Sequence, residues 1–409
     1  MPSSQKEQNC GLAISRRTES YHPALIKKLQ DRFPDNLIRF NYSTHGNAMP
    51  IYLVGKAQRV LMIQFFNGEN YEQAFGELAF AGNAFTTNYD KAGSNTDDLS
   101  LFYPFGDLRD HDKTRKLIDN DPNRTAIVKA QGITDEAWAR TMRHVAGASR
   151  VYFVEAHNPY RSSRHFENCG LSFIDLTTND LFAQFLRDNN LLDNNRETVV
   201  VSTDIGDLLE SDDLANKLNF PLVINFKTRD GDRVNQRSIP NEQKSLQGVR
   251  ALVKDDCISG GSTIEETVKH LIDQEVAEII IFATHAILVG DYFKKIQGVL
   301  NLRQPSVRLL VTDSLPFDRI DGTTKALPYS QLNPSKQVEV LEVTDWISDR
   351  VGDILNAPNE DEALKILKPH ILKIKNPYDV LMNKFNLKIK PPEDLGIYHE
   401  GGRIEYFKK

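Results

Sequence analysis

The chain has 409 residues and a formal charge of −6, from 50 Lys+Arg against 56 Asp+Glu. That length corresponds to roughly two to three domains of ordinary size. A composition of 40% hydrophobic and 26% charged residues excludes a disordered or collagen-like chain. The slight acidity argues against general nucleic-acid binding, which needs an excess of Lys and Arg on one face. Cys10, Cys169 and Cys257 are too scattered for a disulfide framework and form no C-x-x-C pair. A reducing, cytoplasmic compartment is the expectation. The most apolar stretch, Ile279–Val289, carries His285 and is too short to cross a bilayer, and MPSSQKEQNCGL at the start lacks the apolar core of a secretory signal. No membrane partner is expected.

In chain order, a short apolar run at Leu12–Ile14 precedes a helix that opens at Pro23, with Leu25, Ile26, Leu29 and Phe33 at helical spacing. Strand-like runs follow at Leu37–Phe40, Ile51–Val54 and Val60–Gln64, then a helix near Tyr71–Ala81. Leu101–Lys116 begins apolar and ends charged, as a strand running into a functional loop does. Thr134 opens a helix expected to turn Ala137, Trp138, Met142 and Val145 inward and to end near Gly147.

From Arg150–Glu155 onward the pattern is regular. Strands are expected at Thr198–Ser202, Pro221–Phe226, Gly248–Val253, Glu278–Ala283, Val307–Thr312 and Val338–Val343. Helices are expected at Thr177–Leu186, Ser211–Leu218 and Thr263–Val276, and Asp230–Gly248 reads as a polar loop. Continuously apolar strands alternating with amphipathic helices imply an α/β fold with mainly parallel sheets covered on both faces. Beyond Asn356 the Lys- and Pro-containing sequence reads as a surface extension or subunit-contact arm.

Four strand ends carry the candidate chemistry. In ALVKDDCISGGSTIEET (Ala251–Thr267) a buried strand ends in Asp255 and Asp256, passes Ser259, Gly260 and Gly261, and enters a helix at Ser262 and Thr263. Amides at a helix start bind anions, and adjacent carboxylates can hold sugar hydroxyls. The same residues also fit an ordinary capped corner, with Ser262 and Glu265 as a capping box. VVVSTDIGD (Val199–Asp207) runs a strand into Asp204, Ile205 and Gly206, a turn able to cradle phosphate with Asp204 near a divalent cation, or simply a common Asp-Gly turn. Lys227 and Arg229 stand two apart at a strand mouth, and His157 lies just past a buried strand in VEAHNPYR.

In this order the four features resemble the ribose-phosphate pyrophosphokinases, over roughly Leu12 to Asn356. The resemblance implies two phosphoribosyltransferase-like, Rossmann-like domains, at 1–165 and 166–355, with a C-terminal extension at 356–409. It implies Asp255, Asp256 and Ser259–Thr263 as the ribose 5-phosphate site and Asp204–Gly206 as the pyrophosphate loop. It also implies Lys227, Arg229 and His157 as catalytic residues, and Arg109, Asp110 and His157 as the ATP contacts. Mg²⁺ would lie near His157 and Asp204, with ATP and a ribosyl 5-phosphate as substrates and a homo-oligomeric assembly. Ser259 stands where the family has a third Asp, and Thr203 and Asp207 replace a Pro and a Gly. Those departures leave a larger acceptor such as ADP-ribose open beside ribose 5-phosphate. A non-catalytic regulatory subunit is a further alternative.

Overall fold

A computed structural model describes residues 10–14, 16–38, 57–66, 76, 78, 98–106, 134–192, 196–230, 233–240, 245–288, 292–302, 304–315 and 337–385. The elements begin with β1 (Cys10–Ile14), α1 (Arg16–Tyr21), α2 (Pro23–Arg32), β2 (Leu37–Ile38), β3 (Arg59–Phe66) and β4 (Leu99–Gly106). Then come α3 (Thr134–Arg140), β5 (Ala148–Val154), α4 (Pro159–Asn168), β6 (Ser172–Leu176), α5 (Asn179–Asp188), β7 (Thr198–Ser202) and α6 (Leu208–Leu218). They continue with β8 (Leu222–Asp230), β9 (Arg233–Pro240), β10 (Arg250–Ile258), α7 (Ser262–Asp273), β11 (Glu278–Ala286) and α8 (Tyr292–Leu300). The last are β12 (Ser306–Thr312), β13 (Val338–Leu341), α9 (Thr344–Asn356), α10 (Glu360–Leu367) and α11 (Pro377–Phe385).

The chain forms two compact units: Met1–Leu176 with Glu342–Ile371, and Thr177–Leu341 with Leu372–Lys409. In the first, a parallel sheet runs β2-β1-β3-β4-β5-β6. Pro23 sits in the first turn of α2, which buries Leu25, Ile26 and Leu29 as the spacing requires. On α3 the outcome is mixed: Trp138 and Met142 are buried, but Ala137 and Val145 are exposed. The cause is a π turn over Thr141–Val145, whose extra residue per turn rotates Val145 off the inward stripe. β6 pairs with β5 from Arg150↔Ser172 to Val154↔Leu176. The division expected after residue 165 falls inside α4, and the first unit continues through β6.

In the second unit the order is β13-β12-β11-β10-β7-β8-β9, parallel except for β8 against β9. Val199, Val201, Ala251, Val253, Ile279, Ile281, Leu309 and Val311 supply one continuous apolar face. Four local expectations change here. The polar stretch Asp230–Gly248 contains β9, paired antiparallel to β8 from Val223↔Pro240 to Asp230↔Arg233. An edge strand is held by main-chain hydrogen bonds and needs no apolar alternation. α6 opens at Leu208, three residues earlier than its periodicity suggests, and α5 at Asn179, whose N–H donates to Thr177 Oγ1. β10 runs on to Ile258, so the acidic pair lies on the strand itself.

The residues after Asn356 are built into the units as far as Phe385, rather than forming an arm at the surface. α10 buries Ala363 and Leu367, and its Glu360 pairs with Arg150 at 3.1 Å and Arg59 at 3.7 Å and accepts from Tyr152. α11 buries Tyr378, Val380, Leu381 and Phe385 in the second unit. The expectations at Ile51–Val54 and over positions 107–116 lie outside the described residues, as does Tyr71–Ala81 apart from helical positions 76 and 78.

Candidate active site

In the second sheet the chain leaves β7 toward β8 on one side and returns to β10 on the other. The order therefore reverses between β7 and β10, and in an open parallel sheet ligands bind beyond the carboxyl ends of the strands at such a reversal. Two of the four candidate segments flank it. The last register pair of β10 with β7 is Lys254↔Ser202. Beyond it, β7 passes into Thr203–Asp207 while β10 carries Asp255 and Asp256.

The loop after β7 closes on itself. Asp204 Oδ1 accepts the N–H of Gly206 at 2.7 Å and of Asp207 at 3.4 Å, and Ser202 Oγ donates to the Asp204 carbonyl at 2.6 Å. A Cβ at residue 206 would lie 3.0 Å from Asp204 Oδ1, so the turn is built around glycine there. Thr203 donates its hydroxyl to Asp207. Asp207 then brings a third carboxylate to the strand ends. Carboxylate oxygens of Asp207, Asp255 and Asp256 all lie within 4.8 Å of one another, and all three residues are buried. This is an all-oxygen set, the donor type that suits a hard divalent cation.

Burial, reinforced by the charges of Asp207, Asp256 and Asp204, raises the Asp255 carboxyl well above its ordinary value; Lys254 acts in the opposite sense. Lys254 is a residue that pattern reading passed over, although a lysine inside ALVKDD is itself a signal. It is fully buried, donates to Asp255 O at 3.1 Å and Thr284 Oγ1 at 3.4 Å, and lies 5.3 Å from the centroid of the Phe182 ring. A cation is thereby fixed beneath the carboxylates, with a π face as its third partner.

The phosphate-turn candidates, Ser259–Thr263, lead from β10 into α7. Gly261 is the residue before the helix and has φ +73°, a left-handed conformation that glycine adopts without strain. The capping box is not formed: Ser262 is the first helical residue, and its Oγ receives Lys295 Nζ of α8 at 2.6 Å. Glu265 pairs with Lys269 at 2.6 Å, one turn further along α7. Its charge is thus partly compensated, away from the amides at the helix start. Lys295 is a second cation missed in the sequence, since KK inside an amphipathic helix looks like an ordinary solvated face.

The remaining candidates are placed as follows. Lys227 and Arg229 occupy alternate positions of β8, opposite Gln236 and Val234 of β9. Their main chain is part of the same sheet, one strand from β7. His157 belongs to the first unit, in the short connection between β5 and α4, and its carbonyl accepts from Ser162 Oγ at 3.4 Å. The turn there is tight: Glu155 and Asn158 have φ 47° and 52°, and Asn158 Oδ1 accepts the Arg161 N–H at 3.3 Å. Arg109 and Asp110 lie outside the described residues.

A strand reversal, a glycine turn at a helix start and a buried acidic pair meet in this α/β domain. The family described as "Phosphoribosyl transferase domain" matches residues 177–308, within the second unit. Among curated proteins, the ribose-phosphate pyrophosphokinase of Caldanaerobacter subterraneus is 29% identical over 172 residues, 42% of this chain and 50% of that protein. That of Aquifex aeolicus is 28% identical over 176 residues, again 42% and 50%. The chain spans about half the length of these curated relatives. The crystal structure of phosphoribosylpyrophosphate synthetase from Mycobacterium smegmatis shares the fold, with a TM-score of 0.57 and 19% identity over 85% of this chain and 99% of that one. The chain is thus similar to ribose-phosphate pyrophosphokinases over about half their length, and shares its fold with a phosphoribosylpyrophosphate synthetase. No described helix is long and apolar enough to cross a membrane.

Proposed function

We propose that the chain is an ATP-dependent pyrophosphokinase that moves the β,γ-pyrophosphoryl group of ATP to the anomeric hydroxyl of ribose 5-phosphate, releasing AMP. The observation that carries this reading is the placement of the Asp204–Asp207 turn and the Asp255–Asp256 pair on either side of one strand reversal, with the Gly260–Thr263 turn following on the same chain. The transfer needs little covalent help, so positioning and charge neutralisation dominate. In this reading Asp255 and Asp256 hold the ribose 2- and 3-hydroxyls, and the amides of Gly260–Thr263 hold the 5-phosphate. The turn after β7 receives pyrophosphate. Lys227 and Arg229 stabilise charge that develops on the transferred group. Arg109, Asp110 and His157 recognise ATP.

The oxygen-rich set at the strand ends fits Mg²⁺. Asp207, Asp255 and Asp256 would hold it, with Asp204 in the turn beside them. When bound, it neutralises phosphate charge on ATP. A homo-oligomer in a cytoplasmic setting completes the proposal.

A second acceptor, ADP-ribose, is favoured by Ser259 and by Glu265 and Glu266 near the start of α7, since a phosphodiester carries less charge than a monoester. Ser259 removes a carboxylate relative to the family pattern in the segment that would hold the acceptor. One experiment covers both. Purified protein is incubated with ATP, Mg²⁺ and either acceptor, and AMP and the pyrophosphorylated product are followed by mass spectrometry. Product with one acceptor names the substrate; ATP binding without AMP release from either would replace the enzyme reading with a regulatory one.

A further inference from the structure

The segment after the first unit's last helix ends on the helix that follows the candidate pyrophosphate turn. Asp212 of α6 is buried, 2% exposed, and its carboxylate receives two ammonium groups from that segment: Lys375 on Oδ2 at 2.8 Å and Lys384 on Oδ1. Lys384 also donates to Asn216 Oδ1 at 3.0 Å, one turn along the same helix. Apolar contacts back these pairs: Leu372, Tyr378, Leu381 and Phe385 are all buried. Asn376 caps α11 by accepting the Tyr378 N–H at 3.0 Å.

α6 begins at Leu208, directly after Asp207, and Asp212 lies little more than one turn into it. A helix is stiff over that distance, so its seating at Asp212 fixes where its first turn and the preceding loop sit. The opposite flank of α6 is tied to α5: Lys217 bridges Asp180 at 3.3 Å and Asp213 at 3.1 Å, and Asn179 donates to Glu210 O and Asp213 Oδ2, both at 2.9 Å. Those bonds do not neutralise Asp212, and a buried carboxylate stripped of its partners is strongly unfavourable.

We propose that Leu372–Phe385 is a strap that positions the Thr203–Asp207 turn through Asp212, making Lys375 and Lys384 positioning residues for binding of the ATP phosphates. The kinetic consequence rests on the function proposed above; the structural one does not.

Two measurements on the full chain test it. In a Lys375→Met/Lys384→Met variant, KM for Mg·ATP is expected to rise about tenfold. Acceptor affinity, read by calorimetry, should stay within about twofold, because the Gly260–Thr263 turn follows a different strand. A Lys375→Arg/Lys384→Arg variant should restore KM. An unchanged KM, or acceptor affinity lost by the same factor, overturns the strap as a positioning device. Each single Lys→Met variant leaves one ammonium on Asp212, so folding is preserved if the double variant fails. Amide exchange over residues 203–211 should then quicken about tenfold while that of α7 is unmoved. Unaltered exchange at 203–211 also overturns the proposal. A wild-type protein that releases no AMP with either acceptor refutes the pyrophosphokinase reading, and the exchange experiment still judges the strap.

Discussion

Replacing Asp255 by Asn should stabilise the ligand-free protein at neutral pH. Three carboxylates lie within 4.8 Å of one another in a buried setting. At that separation and an effective dielectric near 20, each fully charged pair repels by about 3.5 kcal/mol. Lys254 offsets part of this, and a retained proton relieves more. Burial and the neighbouring acids raise the Asp255 carboxyl well above its ordinary value of 3.8. Its contribution to stability is therefore fully present below the unfolded value and is lost as pH rises through the elevated one. Each unit of elevation removes about 1.4 kcal/mol above that window. The net gain expected for Asp255→Asn at pH 8, without divalent cations, is about 1–3 kcal/mol, or roughly 2–4 °C in Tm per kcal/mol for a domain of about 200 residues. The gain should shrink toward pH 4 and be gone only below the ordinary value of 3.8, where the aspartate is protonated in both states. Scanning calorimetry between pH 4 and 8.5 in the presence of a chelator measures both. A variant that melts at or below the wild type at pH 8, or a difference that does not shrink with acidity, would refute the electrostatic reasoning.

Other outcomes follow from the same geometry. Lys227→Ala should lower turnover tenfold to a hundredfold, about 1.4–3 kcal/mol of barrier, with the melting temperature kept; turnover at the wild-type level removes Lys227 from the mechanism. Gly206→Ala places a Cβ 3.0 Å from Asp204 Oδ1 and should displace that carboxylate from its turn. KM for Mg·ATP should then rise while acceptor affinity holds, and equal effects on both would count against separate subsites. Glu360→Ala leaves buried Arg59 and half-buried Arg150 without a carboxylate they share and should cost about 3–5 kcal/mol, readable by chemical denaturation; a loss under 1 kcal/mol would mean that Asp98 suffices as their partner.

The strands of both sheets were legible wherever burial on two faces left an unbroken apolar run, as in Val199–Val201 or Ile279–Phe282. The helices with one clean stripe, such as α2, were legible for the same reason. β6 was not, because Asp175 interrupts its short apolar run; that side chain is buried and accepts the Ala156 N–H at 2.9 Å. β9 was hidden because edge pairing is a main-chain property. The inward face of α3 was misplaced because a π turn leaves no mark on spacing. At the site, the acids and glycines could be read because their types are restricted by their chemistry. Lys295 could not, since a lysine bonded to a neighbouring turn and one on a solvated face look identical in a string of letters; Lys254 stands out inside an apolar run, but the letters do not say which partners it meets. The strap on Asp212 depends on residues 163 positions apart, a separation at which no local pattern operates.

The return of the chain to its first unit has a consequence for biosynthesis. α9 lays Ile347, Val351, Ile354 and Leu355 into that unit's interior, with Gly352 facing Phe33, and Arg59 donates to the carbonyls of Ile354 and Ala357, both at 2.9 Å. A nascent chain emerging from the ribosome therefore exposes the greasy flank of α2 and β1 until α9 has been translated. Fragments stopping before residue 342 should be sticky and chaperone-dependent, and completion of the first unit's interior waits for Glu342–Ile371, a segment made long after the unit's own sheet has ended at Leu176.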